Sequence, residues 1–104
     1  EKSMIIARDS SGKARCARCG RYVKLTKDHF IPKCSRMNVD KPGNLVGICE
    51  KCNREKGNRI VLPEWYLYLK CEQRSSLYRY MRYSRSYILE QCEDEAVREA
   101  VEKL

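Results

Sequence analysis

"NLVGICEKCNREKGN", Asn44 to Asn58, changes its pattern half-way along. Asn44 to Cys49 is apolar and rich in β-branched residues, which reads as a strand. Glu50 to Asn58 contains no residue that breaks a helix before Gly57, and predicts two helical turns stopped by that glycine. Where strand meets helix stands a C-x-x-C pair, Cys49 and Cys52. That spacing lets two thiolates from one tight turn reach a single tetrahedral ion. The stretch therefore predicts a strand, a metal-binding turn and a short helix in direct succession.

Working outward, a second C-x-x-C pair lies at Cys16 and Cys19. Two such pairs predict a four-cysteine zinc site. Its metal is structural, because four thiolates leave no open position for substrate. It also contributes folding free energy to a short chain of 104 residues. The seven cysteines are an odd count, which argues against a complete disulfide framework. The start, "EKSMIIARDSSG", lacks the apolar run of a signal peptide, and no stretch is long enough to span a bilayer. The expectation is a reducing, cytoplasmic setting. Cys34 reads as a spare thiol near the zinc pairs, and Cys71 and Cys92 as small packing residues in helices.

Twenty-nine residues separate the two pairs, against roughly 15–20 in the usual ribbon spacing. Within this longer insertion Arg21–Leu25 alternates polar and apolar and predicts a short strand. His29–Pro32 predicts a second extended piece, since Pro32 excludes a helix. Ser35–Asn44 carries Asn, Asp, Pro and Gly and predicts a loop. The insertion also holds the only histidine of the chain, His29, directly after Asp28. A neutral imidazole can take a water proton near neutral pH. Side chains alternate along a strand, so Asp28 points away from His29 and does not hold the same water. Asp28 can instead offer a hard oxygen ligand to a divalent cation, and Asn53 at the start of the short helix a second.

The ordered set Cys16, Cys19, "DHFIP", "NLVGIC" and "CNREKGN" resembles the HNH endonuclease family, and within it the branch that carries a four-cysteine zinc beside a ββα-metal motif. The resemblance covers about Cys16 to Asn58. It implies His29 as general base, Asp28 and Asn53 as ligands of a catalytic cation, and Asn44 as the middle asparagine that braces the loop and orients the histidine backbone. Lys56 matches a basic residue near the phosphate. Two departures stand out. The third signature position is Asn53 rather than histidine, which tilts the expected catalytic metal towards Mg2+ or Mn2+. The glycine pair common before the middle asparagine is replaced by "DKPG", Asp40 to Gly43.

Charge agrees with a polyanionic partner. Residues 1–62 hold 15 basic and 6 acidic side chains, a balance of +9, and residues 63–104 hold 7 and 8, a balance of −1. Lys33, Arg54, Lys56 and Arg59 are the residues expected on a DNA backbone, and little in the sequence reads bases. The helical half is expected to start at Pro63 and run through "PEWYLYLKCEQ". Leu77, Met81, Ser84 and Ile88 then recur at spacings of three and four, and Val97, Ala100, Val101 and Leu104 make a last amphipathic stretch. "RSSLYRYMRYSRSY", Arg74 to Tyr87, sets four arginines among four tyrosines without an acid.

The sequence thus predicts an α+β protein: one HNH nuclease domain over residues 1–104, with a treble-clef-like zinc core and ββα-metal motif at 1–62 and a helical extension packed on it at 63–104. The expected activity is metal-dependent hydrolysis of DNA, either nicking with little sequence preference or aided by a targeting partner, as in phage or restriction systems. A non-catalytic zinc module that binds nucleic acid explains the charge and the cysteines equally well, and a protein-interaction adaptor on the same core is a third reading. Neither uses the ordered Asp28, His29, Asn44 and Asn53.

Overall fold

Strand β4 (Leu25–His29) and strand β5 (Leu45–Cys49) pair antiparallel, with Leu25 opposite Cys49 and His29 opposite Leu45. Helix α1 (Glu50–Lys56) leaves β5 without a linker, so the two elements share the Cys49–Cys52 turn. This ββα unit comes from a computed structural model that describes residues 4–32 and 43–104. Lys33 and Cys34, and with them most of the expected 35–44 loop, lie outside the described residues.

Three short strands precede the unit. β1 (Met4–Ile5) joins the free edge of β5 in parallel, giving a sheet of order β1-β5-β4. β2 (Ala7–Arg8) and β3 (Ala14–Arg15) form a separate hairpin. Asp9 closes its turn by accepting from the Ser11 and Lys13 amides, each at 2.9 Å. The polar Ser10-Ser11-Gly12 stretch is therefore the tip of a hairpin.

The expected strand at Arg21–Leu25 moves down the chain. Only Leu25 of that stretch belongs to β4, and Tyr22 and Val23 are exposed. The reason is the preceding turn, where the Gly20 amide donates to the Cys16 carbonyl and the Cys16 amide to the Arg21 carbonyl. Residues 21–24 serve to leave that turn, and pairing begins when β4 meets Cys49.

After α1 the chain differs again from expectation. Pro63 does start a helical turn, but it is a single 3-10 turn, Pro63–Trp65. The helical run ends because the Tyr68 amide donates to the Ala17 carbonyl rather than to a carbonyl one turn back, and a longer helix starts afresh at Cys71. This is α2 (Cys71–Tyr83), followed by α3 (Arg85–Gln91) and α4 (Glu95–Glu102). Leu77, Met81, Ser84 and Ile88 are all fully buried, so the predicted stripe continues across the α2–α3 junction at Ser84. The buried Ser84 hydroxyl donates to the Tyr80 carbonyl at 2.8 Å. Val97 and Val101 anchor α4, and Asp94 caps it by accepting from the Ala96 amide. Cys71 is exposed, so it is no packing residue, while Cys92 is half-buried. The result is a mixed α+β core with helices following it. Among the described residues no helix is long and apolar enough to cross a membrane.

Candidate active site and metal centre

The four sulfurs of Cys16, Cys19, Cys49 and Cys52 lie within 4.8 Å of one another. Cys19 and Cys49 Sγ are 3.8 Å apart, close to the edge of about 3.8 Å expected of a tetrahedron with metal–sulfur bonds of about 2.3 Å. Backbone amides point at the sulfurs: those of Cys19 and Cys49 at Cys16 Sγ, and that of Cys52 at Cys49 Sγ. Such donors stabilise thiolates. The donor set fits structural zinc, and all four cysteines named from the sequence are brought together.

The sequence reading missed Arg21. Its guanidinium donates to Cys19 Sγ at 3.3 Å and to Cys49 Sγ at 3.5 Å. Burial pushes the Cys19 thiol up, but the Arg21 hydrogen bonds, joined by those of Cys16 and Cys49, outweigh it and bring Cys19 down to about 6. Burial pushes Cys52 up instead, helped by its hydrogen bond to Cys49. An arginine two residues beyond the second cysteine was the available signal.

On β4, Asp28 and His29 face opposite ways, as strand alternation requires. Asp28 is 2% exposed. One oxygen accepts from the Tyr66 hydroxyl at 2.5 Å, and the other lies 3.3 Å from the Lys56 ammonium. Lys56 also donates to the His29 carbonyl at 3.1 Å. Burial lowers the Lys56 pKa while the Asp28 charge raises it, and burial prevails. Burial likewise drives the Tyr66 hydroxyl well above its ordinary range, with Asp28 adding to it. Lys56 therefore does not lie on the surface expected of a DNA contact. Its side chain is 1% exposed and serves as the counter-ion of Asp28 and a tie to the His29 backbone. Tyr66, 38 residues from Asp28, carried no signal in the sequence.

Asn44 is fully buried and grips the chain just past His29. Its Oδ1 accepts from the Ile31 amide at 2.7 Å, its Nδ2 donates to the Ile31 carbonyl at 3.2 Å, and its own carbonyl accepts from the Phe30 amide at 2.8 Å. Asn53 Nδ2 donates to Thr26 Oγ1 at 2.8 Å and to the Lys27 carbonyl at 3.1 Å, leaving Oδ1 outside both bonds. Arg54 is exposed and paired with Glu50 at 2.9 Å. Arg59 caps the end of α1, donating to the Lys56 and Glu55 carbonyls.

The catalytic cation implied by the resemblance would compete with Lys56 for Asp28 in this arrangement. Its two expected ligands are Asp28 and Asn53, yet both Asp28 oxygens are engaged and an ammonium already balances the carboxylate. Among the described residues the four cysteines are the one group of three or more His, Cys, Asp or Glu placed to hold a metal.

Residues 16–59 match the HNH endonuclease family. The HNH segment thus runs from the first cysteine of the four-sulfur cluster to the arginine that caps α1. Two curated relatives share it. The CRISPR-associated endonuclease Cas9 of Corynebacterium diphtheriae is 34% identical over 47 residues, 42% of this chain and 4% of the relative. The CRISPR-associated endonuclease Cas9 of Actinomyces naeslundii is 39% identical over 46 residues, 41% of this chain and 4% of the relative. The matched part of the chain thus spans about 4% of the length of these relatives. No solved structure matches the chain significantly.

Proposed function

We propose that the HNH segment hydrolyses DNA phosphodiester bonds in a reaction that requires Mg2+ or Mn2+, with His29 as general base. The observation that carries this reading is the way His29 is held. The Lys56 ammonium fixes its carbonyl, and Asn44 fixes the two residues that follow it. A base must be positioned before its pKa matters, and here a five-residue strand and two buried polar side chains define where the imidazole starts. In this reading His29 takes the proton of the attacking water. The exposed Arg54 and the basic residues of the amino-terminal half hold the phosphate backbone. A cation that reached Asp28 would have to displace the Lys56 ammonium, so a metal-loaded site differs from the arrangement seen. Targeting by a partner protein belongs to the same proposal, since little in the sequence reads bases.

The Asp28–Lys56 pair favours one other reading, a zinc module that binds nucleic acid without cutting it. Supercoiled plasmid incubated with the zinc-loaded protein separates the two, run with and without added Mg2+ or Mn2+ and beside His29→Ala. Metal-dependent nicking by the parent and none by the variant supports the nuclease. Salt-sensitive binding without nicking supports the module. Equal nicking by both proteins removes His29 from the role.

A further inference from the structure

Between Asp9 and Asp28 the chain carries six cations and no acid: Lys13, Arg15, Arg18, Arg21, Lys24 and Lys27. Arg21 is spent on the zinc thiolates. Others surround two tyrosines that the core does not use. Tyr22 is 47% exposed and Tyr68 39%. The Arg15 guanidinium stands 5.8 Å from the Tyr22 ring centre and 4.5 Å from that of Tyr68, so the two rings flank one cation. The Lys13 ammonium is 4.9 Å from the Tyr22 ring.

Both rings are held in place. Tyr22 donates its hydroxyl to Asp9 at 2.8 Å and accepts from Arg15 at 3.3 Å. Tyr68 rests on Gly20, where an added Cβ would come within 2.6 Å of the ring, and its amide donates to the Ala17 carbonyl at 2.9 Å. Gly20, at φ +80°, thus serves both the metal-binding turn and the seat of the ring. Fixed, exposed aromatic rings amid positive charge suit a partner with flat π faces and negative charge together. Unpaired nucleotides have both, whereas a duplex hides its base faces. Among the described residues Asp9 is the acid bonded to the patch, and its carboxylate is occupied by Ser11, Lys13 and Tyr22.

We infer that Tyr22, Tyr68 and the intervening Arg15 form a platform for single-stranded nucleic acid on the hairpin side of the zinc turn. Bases stack on the two rings, and Lys13 and Arg15 meet the phosphates. The inference goes beyond the nuclease reading and does not depend on cutting.

The test is fluorescence anisotropy with a labelled oligothymidine and a blunt duplex of equal length, at one fixed salt concentration, using the zinc-loaded chain. The parent is expected to bind the single strand more tightly than the duplex. Tyr68→Ala should weaken single-strand binding about tenfold, Tyr22→Ala with Tyr68→Ala should weaken it further, and Tyr68→Phe should bind like the parent. The Tyr68 ring is more than half covered, lying on Gly20 and under Arg15, so zinc content and melting temperature are measured on every variant. Tyr22→Ala alone, at the more exposed ring, should also weaken single-strand binding and keeps the test open if Tyr68→Ala fails to fold; unchanged affinity in a folded Tyr22→Ala protein overturns the inference. A parent that prefers duplex overturns the inference. So does a folded Tyr68→Ala protein that binds the single strand as tightly as the parent.

Discussion

The Lys56 ammonium lies 3.3 Å from Asp28 Oδ1, and both side chains are shut away from water. Removing one partner of such a pair costs about 3–5 kcal/mol, because the other is left buried and uncompensated. Lys56→Met is expected to lose about that much in urea unfolding with zinc present. Lys56→Met combined with Asp28→Leu and Tyr66→Phe should recover much of the loss, because the whole polar cluster is then replaced by apolar volume and no buried hydroxyl is left unpaired. A small loss in the single variant would show that water or another cation reaches Asp28.

Tyr66→Phe isolates the third member of the cluster. The ring keeps its edge-on contacts with Phe30 at 6.2 Å and Trp65 at 5.1 Å, and only the hydroxyl on Asp28 is lost. Hydrogen bonds to charged groups contribute about 1.5–3 kcal/mol. The expected outcome is a destabilisation of that order, measured by thermal or urea unfolding, and non-additive with Lys56→Met because both act on one carboxylate.

His29→Ala tests the proposed chemistry. Loss of a general base lowers rate by about 10²–10⁴-fold. The Lys56 tie is to the backbone carbonyl and survives the substitution, as do the Asn44 bonds to Phe30 and Ile31. Plasmid cutting should therefore fall while the melting temperature changes little. A large drop in melting temperature would assign His29 to the core instead.

Stripping zinc should unfold the ββα unit. Cys49 ends β5 and caps α1, accepting from the Cys52 amide, so strand, helix and metal depend on the same residue. Structural zinc contributes about 10–16 kcal/mol in small peptides, as much as the whole stability of a typical domain, about 5–15 kcal/mol. A strong chelator should collapse the circular dichroism signal and zinc should restore it. Arg21→Ala should lower the chelator concentration required, because the two thiolates it serves lose their cation.

Alkaline stability carries the mark of Tyr78. Burial and its hydrogen bonds to Glu64, at 2.6 and 2.7 Å, push its hydroxyl up to about 12, from an ordinary value near 10. The folded protein then holds a proton that the unfolded chain releases. Stability is intact below pH 10 and falls as pH rises from 10 towards 12. Tyr78→Phe should flatten that slope in denaturation curves; an unchanged slope would assign it to Tyr66 or another group.

The sequence by itself determined the four-cysteine metal site and the order of the HNH segment. Two C-x-x-C pairs are local turns, and each needs only its own few residues to present two sulfurs. Gly57 stopping α1, the β5 run and the apolar stripe from Leu77 to Ile88 were legible for the same reason, since each is a pattern within one element. Only the tertiary structure decided how Asp28 is satisfied. Its partners come from α1 and from a turn 38 residues away, and neither local propensity nor spacing records which distant hydroxyl or ammonium a buried carboxylate will meet. Tertiary structure also ended the helix after Trp65, because the Tyr68 amide bonds to the distant Ala17 carbonyl, which outweighs helix propensity over so short a run. The same physics placed Lys56 inside: one cation among 22 could neutralise Asp28, and only the approach of α1 to β4 selected it.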